Sequence, residues 1–212
     1  MVPIEARQAL ILVKDPLLRS VVARMSYDVG LSVREARTIE EADLMGTRHS
    51  PDLIIAELVP EPGKTALDVV AELRKLHNRR IPAVILTSHR SPYLVQDDPP
   101  SLRDCSYIVR SDMDSAVIIR AAIERAIRGD TGIHHNNVMG LPKITRNQAA
   151  VLRLVASGLS NEQIAKSRNK SGRAVELTIT RLYSALGVDR RAAVNSRVAA
   201  SLLYHQSKVT VR

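Results

Sequence analysis

Between residues 173 and 184 the sequence sets Arg173, Glu176, Leu177, Thr180, Arg181 and Ser184 at spacings that share one side of a helix, with Lys170 just ahead of them. Arg and Lys can pair with guanine edges or phosphates, Glu can accept from a cytosine amino group, and Leu can touch a thymine methyl. The set is therefore suited to a DNA major groove. Val175, Ile179, Leu182 and Leu186 fall on the opposite side and are expected in a core. An ordinary solvated helix also presents a charged outer face, so this stripe alone does not establish a DNA contact.

Charge supports it. Residues 142–212 hold 13 Lys/Arg against 3 Asp/Glu, while residues 1–141 hold 18 against 19, so all of the +9 excess lies in the last third. A basic module beside a near-neutral one suggests a polyanion-binding unit joined to a unit with another task. The chain has no Phe or Trp, which disfavours stacking on single-stranded nucleic acid. The lone Cys105 excludes a disulfide within the chain and Cys-based metal sites. His134 and His135, adjacent and without a nearby Cys or acid, are expected in solvent rather than on a metal. Neither a cofactor nor an enzymatic activity is called for. No apolar run approaches a membrane span and no signal-peptide pattern opens the chain, so a cytoplasmic location without a membrane partner is expected.

The C-terminal pattern is wholly helical and clearly punctuated. Thr145 with Gln148 and Ser160 with Gln163 fit capping boxes, while Gly158-Leu159 and Gly187-Val188 fit left-handed helix ends. Four helices are predicted near 145–157, 160–168, 172–186 and 189–204, the second and third forming a helix-turn-helix. Residues 129–142 read as a linker, 143–206 as the helical domain and 207–212 as a tail. A fragment starting at 142 is expected to bind duplex DNA by itself. Ala192, Ala193, Val198, Ala199, Leu202 and Leu203 give the last helix more apolar surface than one small bundle can use, which predicts a homodimer.

Residues 1–128 alternate apolar runs (9–13, 31–33, 53–56, 83–86, 107–109) with helical patterns (16–27, 39–48, 65–77, 112–128). This predicts an α/β domain with a five-stranded parallel sheet covered on both faces. Ser91-Pro92 and Pro99-Pro100 should shorten or break the helix expected after the fourth strand.

The segment from Ile144 to Ala165 and Leu182-Tyr-Ser-Ala-Leu-Gly-Val188 closely resemble the helix-turn-helix of the NarL/LuxR regulators. The resemblance implies that 172–186 is the recognition helix, 160–168 its scaffold and 189–204 a dimerisation helix. The family usually has Lys where Glu176 stands and often His where Thr178 stands, so an operator cannot be borrowed from relatives.

Asp15-Pro-Leu-Leu-Arg19, Pro51-Asp-Leu-Ile-Ile-Ala-Glu57-Leu58, Thr87 and Tyr107 resemble a response-regulator receiver, which implies a flavodoxin-like fold. Such receivers use clustered acids to hold Mg²⁺, an Asp to accept phosphate, a hydroxyl and a Lys. By this resemblance Asp15 and Thr87 match, Lys14 replaces an acid, Glu57 replaces the phosphoacceptor and Arg110 replaces the Lys. The extra methylene of Glu57 moves its carboxylate outward by about 1.5 Å, which near-octahedral Mg²⁺ tolerates poorly. Lys14 is expected to pair with Glu57, closing a metal-free site. Glu57 either mimics the phosphorylated state with Arg110 in support, or marks a decayed pocket kept for packing.

The expected function is a sequence-specific, DNA-binding transcription regulator. Its degenerate, phosphorylation-independent pseudo-receiver would serve dimerisation or the sensing of a small molecule or protein. The alternatives are a conventional two-component regulator switched by phosphorylation, and an interaction protein in which Glu176 has abolished DNA binding.

Overall fold

Short runs of branched apolar residues suit strands buried in a sheet covered on both faces, and the first part of the chain uses them in that way. A computed structural model describes residues 7–59, 63–100, 103–113, 115–131, 140–188 and 195–212. It has β1 (Gln8–Leu12), α1 (Pro16–Asp28), β2 (Ser32–Ala36), α2 (Ile39–Arg48), β3 (Leu53–Leu58), α3 (Ala66–Leu76), β4 (Ala83–Thr87), β5 (Cys105–Val109) and α4 (Ala116–Ile127). The five strands are parallel in the order β2-β1-β3-β4-β5, the flavodoxin-like order.

Every residue of the central β3 is buried, Glu57 included. Ala9, Ile11 and Val13 pack with Ile55, Val84, Ile108, Val22 and Ile123 on one side of the sheet. Gly46 of α2 lies so near Leu73 of α3 that an added Cβ would come within 2.5 Å of the leucine methyl. A larger residue there would require the Leu73 side chain to shift.

The chain divides into two compact units, and the second is not continuous in sequence. It comprises 88–98 and 137–212, while 1–87 and 99–136 form the first. Where a fourth surface helix would complete the α/β pattern there is a single 3₁₀ turn, Pro92–Leu94, because proline and its neighbours resist helix continuation. Leu94, 1% exposed, sits in a core with Ile144, Leu152, Val155, Ile179, Leu182, Ala200, Tyr204 and Val209.

Around that core lie α5 (Arg146–Ala156), α6 (Asn161–Ser167), α7 (Gly172–Ala185) and α8 (Ser196–His205). Both expected capping boxes form, with Thr145 and Ser160 at the helix starts. Gly158 and Gly187 take φ of +85° and +69°, and Leu159 and Val188 donate back to Leu154 and Tyr183, closing the helix ends.

The expected helix 189–204 is described from Ser196, residues 189–194 lying outside the described residues, as do His134, His135, Ala192 and Ala193. The 207–212 segment contains β7 (Thr210–Val211), which pairs in parallel with β6 (Lys143–Ile144). Val209 is fully buried beside it.

Candidate functional site

The turn from α6 to α7 is set by local hydrogen bonding. Asn169 adopts φ +50°, a conformation that Asn tolerates better than most residues, and the Lys170 N–H donates to the Ala165 carbonyl at 2.9 Å. The Ser171 hydroxyl then accepts from the Ala174 N–H at 3.3 Å and starts α7. Val175, Ile179, Leu182, Tyr183 and Leu186 are buried. Arg173, Glu176, Leu177, Thr180, Arg181 and Ser184 are exposed, as is Lys170 on the turn. Leu177 shows half its surface to solvent. No cation lies within 4 Å of Glu176 among the described residues. The arrangement is a solvated polar face backed by a buried apolar one.

A second cluster forms at the C-terminal ends of β1, β3, β4 and β5, the edge at which open α/β sheets gather functional groups. Lys14 and Asp15 follow β1, Glu57 is in β3, Thr87 ends β4 and Arg110 follows β5. The side chain of Arg19 donates to the carbonyls of Val13 and Lys14, at 2.8 and 3.3 Å, and braces the first loop.

Glu57, 8% exposed, receives Arg110 Nη1 on Oε1 at 2.8 Å and the N–H groups of Lys14 and Asp15 on Oε2 at 3.2 and 3.5 Å. Asp15 caps α1 with Oδ1, accepting from Leu17 and Leu18 at 2.9 and 3.1 Å. Its Oδ2 faces Arg110 Nη2 at 3.3 Å. The Leu18 N–H, ahead of Arg110, holds Asp15 below the usual carboxylate range.

The cation expected on Glu57 was the Lys14 ammonium. The guanidinium of Arg110 pairs with it, and Lys14 meets the carboxylate through its backbone N–H. A planar fork can span both Asp15 and Glu57 at once, which a compact ammonium does less well. Thr87 and Tyr107 are fully buried and joined by a side-chain hydrogen bond, and burial pushes the Tyr107 phenol far up.

The residues do not fit Mg²⁺. All four carboxylate oxygens already accept from N–H donors, and the group bridging the two acids is itself a cation. Near-octahedral Mg²⁺ at this position would have to displace the Arg110 guanidinium from both acids. Among the described residues no group of three or more His, Cys, Asp or Glu could hold a metal ion, and no helix is long and apolar enough to cross a membrane.

Residues 142–198 match the model of bacterial regulatory proteins, luxR family. The probable transcriptional regulator ycf29 of Cyanophora paradoxa is 25% identical over 189 residues, covering 82% of this chain and 88% of the relative. The nitrate/nitrite response regulator NarL of Escherichia coli K12 is 23% identical over 218 residues, covering 94% and 96%. The chain is a response regulator of the NarL/LuxR family. The fold agrees: RcsB from Salmonella enterica serovar Typhimurium, solved bound to promoter rprA, superposes with TM-score 0.57 at 15% identity, over 95% of this chain and 99% of that one.

The regulator's DNA-binding unit also depends on residues that sequence reasoning did not single out. Arg153 of α5 donates to the Tyr93 carbonyl at 2.7 Å and to Asp97 at 2.5 Å. Tyr204 of α8 donates to the Leu94 carbonyl at 2.7 Å, and Arg90 donates to the Ser207 carbonyl at 3.1 Å. The Arg146 guanidinium lies 4.2 Å over the Tyr93 ring. Burial raises the Tyr204 phenol to about 12, and burial lowers His89, its ring tilted against Tyr204 with centroids 4.5 Å apart, to about 4. The only local signal for this segment was its prolines, which report a broken helix and not its destination.

Of the residues expected at a dimer interface, Val198 and Leu202 are half exposed at helical spacing on α8, and Ala199 and Leu203 are partly buried.

Proposed function

We propose that the regulator binds duplex DNA sequence-specifically through α7, and that its receiver-type domain works without phosphorylation. The reading surface is Lys170, Arg173, Glu176, Leu177, Thr180 and Arg181, with Arg173 and Leu177 central on the exposed arc. Glu176 sets a carboxylate toward the groove and favours a cytosine amino partner.

The observation that carries phosphorylation independence is the engagement of Asp15 and Glu57 by backbone N–H groups and by one arginine that bridges them. Phosphoryl transfer relies on a metal to neutralise developing charge, and this pocket offers an internal cation in its place. The conventional, phosphorylation-switched reading has one observation in its favour, the retained Asp15 together with the buried Thr87–Tyr107 bond.

The receiver-type domain then acts as a platform for self-association or for a small-molecule or protein partner. Leu17 on α1 and Val117 on α4, at 76% and 68% exposure, supply apolar surface there. A homodimer joined also through Val198, Ala199, Leu202 and Leu203 would read a two-fold symmetric operator with half-sites about one helical turn, roughly 10 base pairs, apart.

The test is selection of bound sequences from a random duplex pool, then binding by Arg173→Ala. The expected loss is about 1–3 kcal/mol, with relaxed preference at one operator position. An unchanged affinity and preference would remove α7 as the reader.

A further inference from the structure

Beside the exposed face of α7 lies a groove of 430 Å³ lined by Thr145, Asn147 and Gln148 at the start of α5, by Thr178, Arg181, Ser184 and Ala185 of α7, and by Arg212. No acid lines it. On the α7 wheel, with 100° per residue, Arg181 stands about 80° from Arg173, toward Thr178 and Ala185 and away from Glu176. Arg181 therefore straddles the border between the reading face and this groove.

Arg212 arrives there by a long-range route. Strand β7 pairs with β6, the Arg212 N–H donates to the Ile144 carbonyl at 3.0 Å, and Val209 anchors the segment in the core. The Asn147 carbonyl accepts from Arg168 at 3.4 Å, which leaves its amide NH₂ as a donor. Two guanidinium groups and an amide donor thus flank a helix already suited to lie in a major groove.

We propose that this groove clamps one phosphate of the DNA backbone, with Arg212 and Arg181 as its charge contacts and Asn147 as a neutral donor. The inference rests on the DNA-binding reading above and refines it, since it moves Arg181 from base reading to positioning and adds Arg212. Phosphate contacts fix register and orientation without carrying sequence information. The parallel β6–β7 pair then has a task, which is to carry an arginine to the flank of the recognition helix.

The experiment measures binding of the full chain to its selected operator and to an unrelated duplex, by fluorescence anisotropy across a salt series. Native protein is compared with Arg212→Gln, Arg212→Lys, Arg181→Gln and Arg173→Gln. Loss of one phosphate contact should reduce the slope of log affinity against log salt by about 0.9 and weaken binding about fivefold at 0.15 M salt. Arg212→Gln should do this equally for operator and unrelated duplex, leaving their ratio unchanged. Arg212→Lys should restore the slope, and Arg173→Gln should alter the ratio. An unchanged slope in Arg212→Gln, or a change in base preference, would overturn the clamp while leaving α7 as reader. Failure of the native chain to bind any duplex would remove the DNA-binding reading itself, and the clamp with it.

Discussion

Replacing Leu94 by Ala should unfold the DNA-binding unit more readily and leave the sheet unit unaffected, although Leu94 lies between two strands of that sheet in sequence. Leu94 is 1% exposed and packed among residues of α5, α7, α8 and the β6–β7 segment. A buried Leu→Ala change costs about 2–5 kcal/mol, the lower end applying where neighbours collapse into the gap. The Arg153–Asp97 pair adds little to this, because Asp97 is 61% exposed and surface pairs contribute only about 0–1 kcal/mol. The Tyr204–Leu94 bond survives the change, since it uses the backbone carbonyl.

Hydrogen exchange resolved by peptide is the suitable assay, because a chain of two units has no single unfolding free energy. Slowly exchanging amides of α5 and α8 should speed up by roughly 30-fold or more, the equivalent of about 2 kcal/mol, while β3 and β4 stay unchanged. Faster exchange in β3 and β4 with α5 and α8 unaffected would refute the placement of residues 88–98 in the helical unit.

A fragment of residues 142–212 lacks Leu94 and the partners of Arg153 and Tyr204, so it should melt below the same unit in the full chain; equal melting temperatures would contradict this. His89 titrates near 4 when folded, against 6.5 when exposed, with His205 beside it. Below pH 6.5 the unfolded chain therefore takes up a proton that the folded chain refuses. Stability of the helical unit should be complete above pH 6.5 and fall by about 3 kcal/mol on approaching pH 4; His89→Gln should flatten that slope, and an unflattened slope would exclude His89 as its source. Arg110→Ala strips the cation from a Glu57 side chain that is 6% exposed. Because Arg110 is itself 37% exposed, the loss should be about 1–3 kcal/mol rather than the full figure for a deeply buried pair. Urea unfolding of the sheet unit would show it, and a change under about 0.5 kcal/mol would mean that the backbone donors alone hold Glu57.

Much of this organisation was legible before any coordinates. Capping boxes, glycine stops, short continuous apolar runs and period-3.6 apolar spacing are local, so the five strands and the α7 faces could be read from them. The pocket residues could be placed because the strand order brings four strand ends together. The partner of Glu57 was harder: Lys14 is near in sequence to the β1 end, but Arg110 has the reach and planar geometry to span two acids. The destinations of 88–98 and 207–212 were illegible, since Leu94, Arg153, Val209 and Arg212 meet partners across long sequence separations that no periodicity encodes.

The central claim is that the pocket closed by Arg110 has replaced phosphorylation, and operator affinity with and without Mg²⁺ and beryllofluoride tests it most directly. Native protein and Glu57→Asp should each bind equally well under both conditions, because Arg110 and Lys14 remain. A tenfold tightening in the native protein, about 1.4 kcal/mol of coupling, would contradict the claim.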